Sequence, residues 1–369
     1  MNPMWRAMLA LSGCLSLGVA AADAVTAFVN VNVIPMSSET VLEQQTVIVA
    51  DGKILVIGDV DDIPVPEGTT LIDGTDRFLM PGLAEMHAHV TGTDPQQIDR
   101  LATLFVANGV TRIRGMLGRA SHLRLRAQLE SGEVFGPRLV TSGPSFNGRS
   151  VSGAAQAAQM VKVHPGLSHA EFNRLAATAN EIGMPFAGHV PVASGVAEAL
   201  RNSMTTIDHL DGYFLALLPS DHGVSGGIAG FFDVMLADDI DARGIPRLAA
   251  DTAAAGTWNV PTEVLIEQII DATPAAELRL RPEMRYVSRS QLERWVEAKL
   301  RTGTVAVAEF LGANTGIVAA GRDADLILLD ANPLVDISNS DRIHGVMLRG
   351  RWLSSRELAA RLKKYEVAH

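Results

Sequence analysis

From Ser168 to Val260 the sequence alternates helical and strand signals, and this alternation restricts the fold more than any other feature. Ser168-His169-Ala170-Glu171 forms a capping box, and Phe172, Leu175, Ala176, Ala179 and Ile182 follow it at helical spacing. Gly183 supplies a stop, and Met184–Val190 reads as the next strand. Gly195–Asn202 is a further short helix, followed by strand signals at Thr205–Asp211 and Trp258–Leu265. A strand-helix-strand rhythm implies a parallel sheet. In a chain of 369 residues it points to a (β/α)8 TIM barrel. A doubly wound sheet is the weaker arrangement, because no GxGxxG follows an early strand.

The two ends of the chain read differently. Val47–Gly58 is a hairpin joined at Asp51-Gly52, a preferred tight-turn pair, and Thr69–Leu79 continues the strand pattern. Asp323–Leu334 reads as a strand, and Val346–Leu353 as a hairpin turning at Arg349-Gly350. Each piece alone is too small to bury a sheet face. Together they predict one small β domain built from both termini, with residues 23–80 and 313–355 flanking a barrel over 81–312. The basic stretch from Ser354, assigned to residues 356–369, is a covering helix.

The start of the chain carries a different signal. Arg6, the apolar stretch Ala7–Val19 and the small residues Ala20, Ala21 and Ala22 form a secretory leader over residues 1–22, which predicts a secreted or periplasmic protein. Leu11–Cys14 matches a lipoprotein box, but the short apolar run before it makes anchoring at Cys14 the weaker reading. Cys14 is the single cysteine, so a cleaved chain holds no disulfide. No later run is long and apolar enough to predict a membrane span. A net charge of -10 and the absence of a basic stripe argue against nucleic acid as a partner.

His87 and His89 end the apolar run Phe78–Val90, and two residues of spacing on a strand put both rings on one face, where they can meet one metal ion. Lys162 lies in Val161–Gly166, His189 ends Phe186–Val190, and His209 ends the strand at Thr205–Asp211. The five fall at the carboxyl ends of four strand signals, where barrels carry their reactive groups. His164 and Tyr213 follow two of these positions and are candidates for substrate contact, against packing roles at the strand end and the rim. Arg112 and Arg114 alternate in Val110–Gly115, and a structural ion pair is favoured over a bond to a substrate carboxylate. Glu85, two before His87, is a weaker candidate for a supporting contact.

The stretches Pro81–Val90, Gly143–Gly148, Lys162–Ser168, Phe186–Pro191, Thr206–Tyr213 and Gly321–Leu334 resemble, in order, the amidohydrolase superfamily, in its imidazolonepropionase-like and Xaa-Pro dipeptidase-like branch. The resemblance implies a metal-dependent barrel with a composite β-sandwich, acting on an amide C–N bond in a dipeptide, N-acyl amino acid or cyclic amide. It implies that His87 and His89 bind one Zn²⁺, that His189 and His209 bind a second, and that a carboxylated Lys162 bridges them. It further implies a small amide or peptide as the partner and is compatible with a homo-oligomer. A mononuclear deaminase is a weaker reading, since such a site does not need Lys162.

The sequence departs from this pattern in two places. Between Trp258–Leu265 and the helix-like Thr302–Gly312 no apolar strand ends in aspartate, and the one aspartate there, Asp271, lies in a helix-like run. The barrel is therefore expected to lack its eighth strand, and the site its proton-shuttling carboxylate, leaving the catalytic residue unassigned. Loss of such a group costs about 10²–10⁴-fold in rate. A non-catalytic descendant that keeps the shell is the competing reading. The second departure is a shortening before Lys162, where helix-like Gly153–Met160 runs straight into the strand.

Overall fold

The computed structural model describes residues 25–38, 40–92, 94–146, 159–223, 233, 236–262, 277–299 and 318–366. The leader with Cys14, the helix signal before Lys162 over 153–158, the run containing Asp271 and the helix signal at 302–312 lie outside these residues.

The first strands are β1 (Thr26–Val33), β2 (Leu42–Ala50), β3 (Lys53–Asp59), β4 (Thr70–Asp73) and β5 (Phe78–Pro81). β2 and β3 pair antiparallel around Asp51 and Gly52, whose φ angles of 51° and 71° give the tight turn expected from that dipeptide. Next come β6 (Leu83–Ala88), α1 (Pro95–Ala107), β7 (Val110–Gly115), α2 (Ala120–Glu130), β8 (Arg138–Thr141), β9 (Ser145–Phe146) and β10 (Val161–Val163). The Asp94 side chain caps α1 by accepting from the Gln96 N–H, and Pro95 occupies the first turn, where its missing N–H is harmless. Then follow α3 (His169–Glu181), β11 (Phe186–Gly188), α4 (Gly195–Arg201), β12 (Thr206–Asp208), α5 (Tyr213–Ala216), α6 (Ile245–Ala254), β13 (Trp258–Val260) and α7 (Arg289–Lys299). The capping box at Ser168 and Glu171 opens α3, and Gly183, at φ 66°, follows its end. The chain closes with β14 (Leu326–Leu329), β15 (Ile343–Leu348), β16 (Arg351–Ser354) and α8 (Ser355–Leu362).

Both ends of the chain build one mixed sheet, ordered β16-β15-β14-β5-β1-β2-β3 with β4 also on β1. Its buried face gathers Phe28, Val47, Ile54, Leu79, Leu326 and Met347 into one apolar core, with Phe28 edge-on to Trp352 at 5.5 Å. The antiparallel pairing of β14 with β5 joins the two ends of the chain, and the Phe28–Trp352 contact adds to it.

The remaining strands are parallel, in the runs β6-β7-β8 and β9-β10-β11-β12-β13. The two runs join through the extended segment that holds β8 and β9: Ser142 N–H donates to Gly115 O and Gly143 N–H to Met160 O. A second core, with Phe172, Phe186, Val196, Met204 and Ile207, packs α3 and α4 on these strands. The chain is thus a mixed α/β fold with several sheets. Among the described residues no pairing joins β6 to β13, so no closed barrel is formed by them. Among the same residues no helix is long and apolar enough to cross a membrane.

Candidate metal centre

The parallel strands all run the same way, so their carboxyl ends form one surface, and the sequence-selected residues meet there. His87 lies in β6 and His89 one residue past its end; their Nε2 atoms are 3.2 Å apart. Lys162 is the middle residue of β10 and only 2% exposed. His189 follows β11 and His209 follows β12. Ring centroids are 4.4 Å apart for His87 and His209, 4.9 Å for His189 and His209, and 6.4 Å for His87 and His189. His164, just after β10, lies edge-on to His189 at 5.7 Å with its buried Nδ1 unbonded.

A second layer of contacts fixes these rings. Nδ1 of His87 is 2.7 Å from Asp208 Oδ2, Nδ1 of His189 is 2.6 Å from Asp211 Oδ2, and Nδ1 of His209 is 2.7 Å from Thr262 Oγ1. An ionised carboxylate can only accept, and the Thr262 hydroxyl already donates to Pro261 O, so each Nδ1 carries the proton and donates it. Each Nε2 then bears the lone pair, the arrangement that outer contacts give a metal-binding imidazole. Glu85 accepts the His87 backbone N–H through Oε1 at 2.6 Å.

Asp208 organises the buried charge. It is fully buried and receives, besides His87, Arg114 Nη2 at 3.1 Å and the Thr206 hydroxyl at 3.0 Å, with Lys162 Nζ 3.5 Å away. Burial opposes its ionisation, yet the His87 bond and the charges of Arg114 and Lys162 outweigh that and hold its carboxyl well below the ordinary range. Burial pulls His87 down to about 4, against the pull of Asp208, and likewise lowers His89, His209 and His164. The imidazoles shifted in this way are neutral at pH 7. Burial also lowers Lys162, against the attraction of Asp208, which enlarges the fraction present as free amine.

Sequence reasoning missed Asp208, Asp211 and Thr262. On a regular strand Asp208 and His209 face opposite ways. Here β12 ends at Asp208, and His209 and Leu210 adopt φ of 63° and 55°, so the chain turns and both side chains serve the same centre. The presence of two aspartates within two residues of a ligand candidate was the available signal. Arg114 is 3% exposed; its guanidinium also donates to Met86 O at 2.7 Å and to the Thr206 hydroxyl at 3.0 Å, so it is the structural ion pair favoured from the sequence. Tyr213 is brought to α6, where its hydroxyl donates to Thr252 Oγ1 at 2.9 Å, because the Thr252 proton is committed to Leu248 O.

The residues fit a metal in part. Two nitrogens bound to one tetrahedral Zn²⁺ at about 2.0–2.1 Å lie roughly 3.3 Å apart, close to the separation of the His87 and His89 Nε2 atoms. Lys162 Nζ, buried beside them, makes no hydrogen bond. Among the described residues, however, no group of three or more His, Cys, Asp or Glu side chains is arranged to hold an ion. The rings form one cluster rather than two separate pairs: His87 stands nearer to His209, at 4.4 Å between centroids, than to His89, at 5.1 Å.

The fold and the histidine cluster together define a protein with a polar centre at the carboxyl ends of parallel strands, next to a sheet built from both termini. Solved structures of hydrolases share this fold. Molinate hydrolase aligns at 16% identity with a TM-score of 0.61, covering 92% of this chain and 96% of that one. A Xaa-Pro dipeptidase with bound methionine in the active site aligns at 17% identity and 0.60, over 90% of this chain and 100% of the other. Bottromycin amidohydrolase aligns at 18% identity and 0.57, over 92% and 90%. No family model and no curated protein sequence matches the chain. The chain has the fold of solved amidohydrolases, the group that its motifs resemble.

Proposed function

We propose that this chain is a metal-dependent amidohydrolase that cleaves an amide C–N bond in a small substrate: a dipeptide, an N-acyl amino acid or a cyclic amide. The observation that carries the reading is the convergence of His87, His89, His189 and His209 on Lys162, with three of the rings held as Nδ1–H tautomers by Asp208, Asp211 and Thr262. In this reading His87 and His89 hold one Zn²⁺, His189 and His209 a second, and a carboxylated Lys162 lies between them. A lysine adds CO2 through its neutral amine, the form that burial favours at Lys162. Asp208 and Arg114 keep the local charge near neutrality. When bound, such ions supply Lewis acidity, which polarises a carbonyl and makes water nucleophilic near neutral pH. His164, with its unbonded Nδ1, contacts the substrate; Tyr213 closes the rim from α5.

The proposal includes a (β/α)8-type barrel over 81–312 without its eighth strand, a β-sandwich completed by 23–80 and 313–355, and export through the leader at 1–22. Without the strand-eight aspartate, proton transfer to the leaving nitrogen falls to solvent, and the rate is about 10²–10⁴-fold below that of a complete site. The incomplete ligand sets favour a second reading, a non-catalytic protein that keeps the shell. The test is hydrolysis of a panel of dipeptides and N-acyl amino acids by protein loaded with zinc and bicarbonate. Slow turnover that disappears in His189→Ala is expected; turnover equal in the two proteins, or absent from both, contradicts the enzymatic reading.

A further inference from the structure

Arg114 lies in β7, on the run β6-β7-β8, yet its guanidinium reaches both runs of parallel strands. Nε donates to Met86 O on β6 at 2.7 Å. Nη1 donates to the Thr206 hydroxyl at 3.0 Å and Nη2 to Asp208 Oδ1 at 3.1 Å, both on β12. Each nitrogen of the planar fork thus has its own acceptor, and the acceptors belong to separate sheets. Among the described residues no backbone pairing joins β6 to β12 or β13.

These acceptors flank the histidines: Met86 precedes His87, and Asp208 precedes His209. The register of β6 on β7 shifts between Glu85 and Ala88, so Met86 and His87 have no matched residue on β7. Side chains hold this stretch instead. Arg114 takes Met86 O, and the Glu85 carboxylate takes the His87 N–H at 2.6 Å. An irregularity of this kind re-aims a side chain, and its freed backbone groups need other partners. On β12, Asp208 meets Arg114 through Oδ1 and His87 through Oδ2, which closes the link back to β6. The His87 and His209 rings stand 4.4 Å apart although they come from different sheets. Arg114 is 3% exposed, so water does not compete for its bonds. A lysine there supplies the charge but not the geometry: an ammonium is a point charge on a flexible stem, whereas the guanidinium fixes its donors in one rigid plane.

We propose that Arg114 is a positioning residue that sets the spacing between the two halves of the histidine centre, by tying Met86 on β6 to Thr206 and Asp208 on β12. His87 and His89 form one half, and His189 and His209 the other. The inference rests on the reading of that centre as a metal site, and its first readout is taken without metal so that the two can fail separately.

The test is electron–electron double resonance on the full chain, freed of metal with EDTA, with nitroxides at Gln97→Cys on α1 and Ala250→Cys on α6. Both positions are exposed, and Cys14, the single native cysteine, is replaced by serine. One narrow distance is expected with Arg114 in place. Arg114→Lys, which keeps the charge beside Asp208, should broaden it, and Thr206→Val, which removes one of the acceptors, should broaden it less. Arg138→Lys on β8, whose arginine bonds Glu130 and Asp325 rather than β12, should leave the width unchanged. Competition with a chelator then reads the metal: zinc should be held about tenfold more weakly, or worse, in Arg114→Lys. The inference is overturned if Arg114→Lys and Thr206→Val keep the parent width, or if Arg138→Lys broadens it as much. Broadening in Arg114→Lys with unchanged zinc affinity would reduce Arg114 to a structural tie and overturns the positioning role as well. A parent that shows these widths and holds no zinc sinks the metal reading alone and leaves the spacing role supported.

Discussion

Asp208→Asn is the substitution that probes the centre most sharply. The side chain changes shape hardly at all, yet it loses a charge that is fully buried among Arg114, Lys162 and His87. Arg114 and Lys162 are 3% and 2% exposed, so water cannot replace the lost carboxylate. Removing one partner of a buried ion pair costs about 3–5 kcal/mol. Asparagine keeps one oxygen, which still accepts from Arg114 and Thr206, and this places the expected loss near the lower figure, about 3 kcal/mol. Its amide nitrogen, however, faces Nδ1–H of His87. Two donors cannot share that contact at 2.7 Å, so the imidazole exchanges its proton to Nε2 and loses the lone pair aimed toward His89. Loss of such an outer contact lowers metal affinity about 10–100-fold. Urea unfolding followed by circular dichroism reads the first effect, and imidazole ¹⁵N shifts read the second. A stability loss below about 1 kcal/mol together with an unchanged His87 tautomer would refute the reasoning.

Two further outcomes follow from the same geometry. His87 has a folded pKa of about 4 against an ordinary 6.5, so between these values the unfolded chain takes up a proton that the folded chain refuses. Stability of the metal-free protein therefore falls as pH drops from 6.5 towards 4, by about 3 kcal/mol in all; a urea midpoint at pH 5 equal to or above that at pH 7 would contradict this. Gly188→Ala should destabilise by about 1–3 kcal/mol, because φ is 119° there and the new Cβ would lie 2.7 Å from Lys162 Cδ and 2.8 Å from Val163 O. Thermal unfolding of that variant checks it, and an unchanged midpoint would show that β10 and β11 can separate freely.

What the sequence disclosed depended on how local each signal was. The turn at Asp51-Gly52, the capping box at Ser168 and Glu171, and the stop at Gly183 are each set within a few residues, and each falls where it was expected. The histidines were legible because strand ends share one surface in a parallel sheet, so separate short motifs could be placed together without knowing their contacts. Asp208 was hidden by the same periodicity: alternation sends it away from His209, and only the left-handed turn after β12 brings the two together. Thr262 is 53 residues from His209, and nothing in its own neighbourhood announces the bond. The strand read over Thr205–Asp211 is shorter in fact, because that turn ends it at Asp208. The bond between the Tyr213 phenol and the Thr252 hydroxyl on α6 is likewise announced by nothing near either residue in the sequence.

The central claim is that the four histidines and Lys162 form a centre for two metal ions. Elemental analysis of protein expressed with zinc and bicarbonate, beside Lys162→Ala, tests it most directly. The account predicts two ions per chain in the parent and loss of at least one in the variant, since each histidine pair needs the lysine-borne anion as its third ligand. One ion or none in the parent, or the same content in both proteins, would contradict it.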